Sequence, residues 1–154
     1  MERTKSSINE KMARQKRREV LFVLLFSREF SPEEAELVLF LVHELKVAKK
    51  IIEDACALSH KIFPLFEEID AKIASVSQDY ALDRIARVER TVLRLAIYEL
   101  FYDKMVPVKV IFAEALRLVK KFSVGESSSF IHAILDALVV KDSSHDDLLA
   151  FSAR

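Results

Sequence analysis

Glycine is nearly missing from this sequence: Gly125 is the only one among 154 residues. Sheets with tight hairpins and loops that wrap phosphates rely on glycine wherever φ must turn positive. Its scarcity excludes a GxGxxG or Walker-type cradle for nucleotide phosphates and predicts long helices joined by few tight turns. Of the three prolines, Pro32 and Pro107 stand where helices would begin, and Pro64 stands where one would kink or end. Cys56 is the only cysteine, which excludes an intramolecular disulfide, fits a reducing compartment and predicts a small buried apolar side chain. Net charge is missing too, with 24 Lys and Arg against 24 Asp and Glu. The chain as a whole therefore attracts neither nucleic acid nor membrane, and only local charge carries information. The longest unbroken apolar run, Val20 to Phe26, is far short of the roughly 20 residues a membrane helix needs, and no apolar stretch follows the basic N-terminus as in a secretory signal. A cytoplasmic protein with no membrane partner is the expectation.

Apolar side chains are abundant, at 51% of the chain, enough for one domain to bury a core without disulfides or a metal. Residues 1–9 are polar and aperiodic and predict a flexible arm. From Glu10 to about Arg28 the spacing is helical: Lys11, Arg14, Arg17 and Arg18 share a face that continues as Leu21, Leu24 and Leu25, so one stripe changes from basic to apolar. Ser31-Pro32-Glu33-Glu34 is a capping-box start for a helix to about Leu45. Val47, Ile51, Ile52, Ala55, Leu58 and Ile62 mark a helix that Pro64 interrupts and that Leu65 to Val76 resumes. Leu82 to about Asp103 is so apolar that it predicts the central helix. Pro107 opens a helix that stops at Phe122, Gly125 is placed for positive φ in the linker, and Ser127, Ser128 or Ser129 is placed to cap a last helix. Residues 141–154 predict a polar tail. The fold class is all-α, six or seven helices in one or two adjoining bundles, forming a single domain over residues 10–140.

Catalytic templates fail one by one. His43, His60, His132 and His145 contain no i,i+4 pair, so no zinc helix is present and no metal is expected. No serine sits in a nucleophile elbow, and Asp83, Glu89 and Glu99 fall on helices among basic neighbours, where solvated ion pairs are the usual outcome. Without a nucleophile, base and orienter in one constellation, no enzyme and no cofactor are expected. The positive signal is the basic run Lys11, Arg14, Lys16, Arg17 and Arg18, which fits either a solvated helix face or a set of phosphate contacts. Phe122 and Phe130 flank the polar linker beside Lys120 and Lys121, where aromatics either join the core or stack on unpaired bases.

Two ordered segments carry a resemblance. Val88-Glu89-Arg90-Thr91-Val92-Leu93-Arg94-Leu95-Ala96-Ile97-Tyr98-Glu99-Leu100 is similar to V-E-[KR]-x-[VI]-L-R-[IL]-A-x-Y-E-L. Val106-Pro107-Val108-Lys109-Val110-Ile111-Phe112-Ala113-Glu114-Ala115, then Leu118 to Phe122 and Phe130 to Asp136, are similar to V-P-x-K-V-x-I-N-E-A, L-A-K-x-F and F-V-N-G-V-L-D. Arg17-Arg18-Glu19 and Leu25-Phe26-Ser27 look like R-R-E and L-Y-S. The chain thereby resembles the NusB family of bacterial transcription antitermination factors, apart from Phe26, Ala113, His132 and Ala133, where the family has tyrosine, asparagine, asparagine and glycine.

The resemblance implies a seven-helix, two-subdomain protein that binds boxA-type single-stranded RNA with NusE, the small-subunit ribosomal protein, and joins RNA polymerase indirectly to counter termination in ribosomal RNA transcription. By position it implies an RNA face of Lys16, Arg17, Arg18, Phe122, Glu126 and Phe130, and a NusE face of Phe26 and Glu89. The departures at Ala113 and Ala133 motivate a second reading, a protein-only adaptor or homodimer with weakened RNA binding. A third is a detached relative of the NusB-like domain of some ribosomal RNA methyltransferases, without their methyl-transferring segment.

Overall fold

The structure, a computed structural model, describes residues 2–29, 33, 36, 40, 43–77 and 81–152, with side chains as far as Asp142. Among these residues there is no strand, and six α-helices follow in order: α1 (Glu2–Ser27), α2 (Lys49–Ile62), α3 (Phe66–Val76), α4 (Arg87–Tyr98), α5 (Val108–Phe122) and α6 (Ser128–Ser152). The Ser31-Pro32 start and most of the helix expected after it lie outside the described residues. No helix among those described is long and apolar enough to cross a membrane. The chain divides into two compact units, Met1–Leu65 and Phe66–Arg154.

In the first unit α1 packs against α2. The burial of α1 is one-ended: residues 2–14 are exposed, whereas Val20, Leu21, Phe22, Leu24 and Leu25 are buried. Burying each such side chain contributes about 1.5–3 kcal/mol, so the C-terminal half of the helix carries its stability. The helix nevertheless extends back to Glu2, through the segment expected to be a flexible arm. Propagating an existing helix adds one hydrogen bond per residue fixed, without a new nucleation cost. In α2 the buried positions Ile52, Ala55, Ser59 and Ile62 follow three-and-four spacing. Ser59 satisfies its buried hydroxyl by donating to the Cys56 carbonyl at 2.6 Å. Cys56 itself is only half-buried, because it falls one position round the helix from the buried Ala55. Pro64 acts as expected: α2 stops at Ile62 and a single 3₁₀ turn, Phe63–Leu65, carries the proline that has no N–H for an α-helical bond.

The second unit is built round α4, which touches α3, α5 and α6. Thr91 to Glu99 are all buried, as a central helix requires. The expected start at Leu82 is a 3₁₀ turn, Leu82–Arg84, and α4 proper begins at Arg87. Its end widens into a π turn, Glu99–Asp103, closed by Lys104 at φ 56°. Positive φ was expected at Gly125, but that glycine does not adopt it; Lys46 and Lys104 do. Nor does close packing require glycine there, since a side chain would meet nothing nearer than Ser127 Oγ at 4.0 Å. Pro107 caps α5, accepting from the N–H groups of Val110 and Ile111. α6 buries Ile131, Ile134, Leu135 and Leu138 and continues to Ser152, through the stretch expected to be a tail.

Arg94 lies inside this unit, its side chain 9% exposed, and donates two parallel 2.8 Å bonds from Nε and a terminal nitrogen to the two oxygens of Asp70. Its guanidinium also sits 4.3 Å from the Phe66 ring centroid, so α4 is tied to α3 by a bidentate pair and a cation–π contact. Removing one member of a buried pair leaves an uncompensated charge, typically at 3–5 kcal/mol. We predict that Asp70→Ala lowers unfolding free energy by about 3 kcal/mol and that Asp70→Leu with Arg94→Met recovers most of it, measured by urea denaturation. A loss below the usual effect of an exposed pair, about 1 kcal/mol, would show that the pair is solvated in solution.

Candidate nucleic-acid interface

Three of the expected RNA contacts lie in the first unit on one turn of α1, but they are not equivalent. Lys16 and Arg17 are half-buried, whereas Arg18 is only 6% exposed. The cause is helical spacing: Arg18 precedes Leu21 and Leu25 by three and seven residues, both of them fully buried, so it stands where the stripe has already turned inward. Lys16 lies 3.9 Å from the buried Glu19 carboxylate. The exposed cations of the helix are Arg3, Lys5, Lys11 and Arg14. Phe26, expected on a protein-facing surface, is half-buried and stacked on Phe22 with centroids 5.8 Å apart.

The remaining residues belong to the second unit, round the linker between α5 and α6. Glu89, expected as an outward charge for a partner, is 6% exposed. One of its oxygens accepts from the hydroxyls of both Ser123 and Ser127 at 2.6 Å. Ser127, read as a possible cap of the last helix, thus points its hydroxyl at Glu89, while its carbonyl accepts the Ile131 N–H at 3.0 Å. Burial would raise the Glu89 pKa, but the two hydroxyls and a backbone N–H outweigh it and hold the carboxyl below the usual range.

Above this clamp opens a cavity of about 250 Å³ lined by Arg84, Ile85, Ala86, Glu89, Glu126, Ser127 and Phe130. Glu126 and Phe130, two of the positions expected on an RNA face, thus line one cavity together with Glu89. Phe122 is half-buried at the end of α5, with Lys121 Nζ 5.7 Å from its ring centroid, and does not line the cavity. Arg84, Ile85 and Ala86, not singled out in the sequence, reach the lining because a 3₁₀ turn, Leu82–Arg84, stands where a continuous helix from Leu82 was expected. Ala113, His132 and Ala133 are all exposed, and His132 packs edge-on against Phe112 at 5.3 Å. These departures thus change the surface of α5 and α6 and leave the core alone. Among the described residues no cluster of His, Cys, Asp and Glu could hold a metal.

The NusB family model matches residues 15–139. The transcription antitermination protein NusB of Chlamydia pneumoniae is 32% identical over 145 residues, covering 94% of this chain and 91% of its own length. That of Lachnoclostridium phytofermentans is 37% identical over 131 residues, covering 83% and 99%. The fold is similar to a chain in the crystal structure of antitermination factors NusB and NusE in complex with double-stranded RNA, with a TM-score of 0.70 at 28% identity over 82% of this chain and 96% of that one. It is also similar to T. maritima NusB, with a TM-score of 0.68 at 32% identity over 81% and 89%.

The Glu89 clamp has a definite pH signature. A folded-state pKa below the unfolded one contributes stability that is present above the unfolded pKa and lost as pH falls through the folded value. We predict that Glu89→Gln is less stable than the parent chain at neutral pH and that the gap narrows on acidification below the ordinary carboxylate range. Urea unfolding across a pH series measures it, and a gap that ignores pH would remove the charge as its source. Glu89→Lys is expected to lower the melting temperature by itself, so a loss of partner binding in that variant would report folding first.

Proposed function

This chain belongs to the NusB family, and on that premise we propose that it binds boxA-type single-stranded RNA together with NusE and suppresses termination during ribosomal RNA transcription in the cytoplasm. Proteins of this family are transcription antitermination factors and not enzymes. The observation that carries the RNA reading is the likeness, at a TM-score of 0.70, to a chain solved with NusB, NusE and RNA. The RNA there is double-stranded; the preference for an unpaired strand is supported by the cavity beside Phe130, because a half-buried ring facing open space suits an unstacked base. In the first unit Lys16 and Arg17 on α1, with Lys11 and Arg14 before them, supply phosphate attraction; in the second, Phe122 lies beside Lys121. Glu126 repels phosphate and serves by accepting from a base edge. Phe26 contributes to the NusE face, and contact with RNA polymerase follows through the assembled complex.

The second reading, an adaptor or homodimer with weakened RNA binding, is favoured by Arg18 being buried and by the amides missing at the exposed positions 113 and 132. One titration separates the two. With boxA-type RNA, with and without NusE, binding is expected to weaken as salt rises with a log–log slope of about −0.7 per phosphate neutralised. No binding even with NusE present sinks the RNA reading and leaves the adaptor.

Burial divides the two neighbouring arginines into different experiments. Arg17→Ala is expected to weaken RNA binding several-fold at an unchanged melting temperature. Arg18→Ala is expected to lower the melting temperature, because it removes a buried side chain with its apolar stem. Equal melting temperatures for the two variants would contradict the burial of Arg18.

A further inference from the structure

We propose that a second cavity of the Phe66–Arg154 unit, at the far end of α4 from Glu89, docks an acidic segment of another protein, taking one carboxylate together with the apolar side chain beside it. This cavity, of about 270 Å³, is lined by Lys72 and Ser75 of α3, Phe101 of the π turn, and Leu138, Lys141 and Asp142 of α6. The two helices pack together, and on each the lining residues stand three or four positions apart, so a single face presents them. It shares no lining residue with the cavity beside Phe130. The run of helix from Ala86 in that lining to Phe101 in this one holds the two apart by about 20 Å.

The first ground is a pair of uncommitted cations. Neither Lys72 nor Lys141 makes a hydrogen bond or an ion pair among the described residues. Lys72 is half-buried with its ammonium 4.6 Å from the Phe101 ring centroid, so it is held at the wall before a ligand arrives and loses less freedom on binding. The exposed Lys141 comes from the other helix. The second ground is what surrounds them. Leu138, 4% exposed, and the half-buried Phe101 give apolar surface. The Ser75 hydroxyl donates to the Lys72 carbonyl at 2.7 Å, which leaves its oxygen to accept, and Asp142 adds a carboxylate. A peptide answers all of these groups at once: an acidic side chain for the lysines, an apolar neighbour for Phe101 and Leu138, and backbone N–H donors for Ser75 and Asp142. A nucleic acid answers fewer. Asp142 offsets one of the two lysines, neither cation is the arginine fork that grips phosphate, and the Lys72 ammonium already covers one face of the only aromatic ring in the lining. The volume admits side chains and not a helix, which is about 10 Å across, so the segment lies extended over the opening.

The test titrates the full chain, labelled with nitrogen-15, with the peptide acetyl-Leu-Glu-Leu-amide and follows the backbone amides by NMR. Saturable shifts at Ser75, Phe101, Lys141 and Asp142 are expected, with a Kd of about 1 mM, the order for so small a ligand. The peptide with glutamine in place of glutamate should bind about tenfold more weakly, having lost both lysine contacts. Lys141→Ala should weaken the glutamate peptide about threefold, the order of one exposed ion pair, and leave the glutamine peptide and the melting temperature unchanged. Equal affinity for the two peptides, or no shift at these four residues up to roughly 10 mM peptide, would overturn the proposal. So would a single-stranded RNA oligonucleotide that shifts them where the peptide does not, which would make the cavity a phosphate site.

Discussion

The second unit depends on a buried carboxylate. Glu89 stands in the first turn of α4, the helix round which that unit packs, and it holds both ends of the linker that reverses the chain between α5 and α6. Hydrogen bonds to a charged acceptor contribute roughly 1.5–3 kcal/mol each, and these two act on a segment with little else to order it. Val124, Gly125 and Glu126 are exposed, and the glycine is neither strained nor tightly packed. The start of α6, and with it Phe130 over the cavity, is therefore set in place by a polar clamp and not by turn geometry.

Most of the fold was legible from period and punctuation. Pro64 and Pro107 marked a helix end and a helix start, and the density of apolar residues from Val88 to Leu100 identified the central helix, because each rests on local physics that tertiary packing reinforced. What failed has local causes too. Gly125 suggested a positive φ that its linker does not use, whereas Lys104, in another linker, closes the π turn after α4 in the left-handed region without a glycine. Glu89 looked like a surface charge because its partners are serines 34 and 38 residues away, a separation that helical spacing cannot reveal.

Arg18 is a different kind of miss. The stripe that turned from Lys11 and Arg14 into Leu21 and Leu25 already implied that the cations nearest the apolar end would be drawn inward. A guanidinium tolerates this better than most charges, because its stem packs as hydrocarbon and its head makes several planar hydrogen bonds. The pair Arg17-Arg18 therefore mixes a residue available to a ligand with one the fold has used, and resemblance by motif cannot separate them.

The same division governs how a chain with no net charge serves a polyanion. Its 24 cations are not pooled. Arg94 is spent on Asp70, Arg117 on Glu114, and Arg28 on the Phe63 ring, each fixing a contact within its own unit. Others stay exposed in each unit, among them Arg3, Lys5, Lys11 and Arg14 in the first half of α1 and Lys120 and Lys121 at the end of α5. The attraction such side chains exert is screened beyond about 10 Å at 0.1 M salt, so each exposed group acts only on charge close to it.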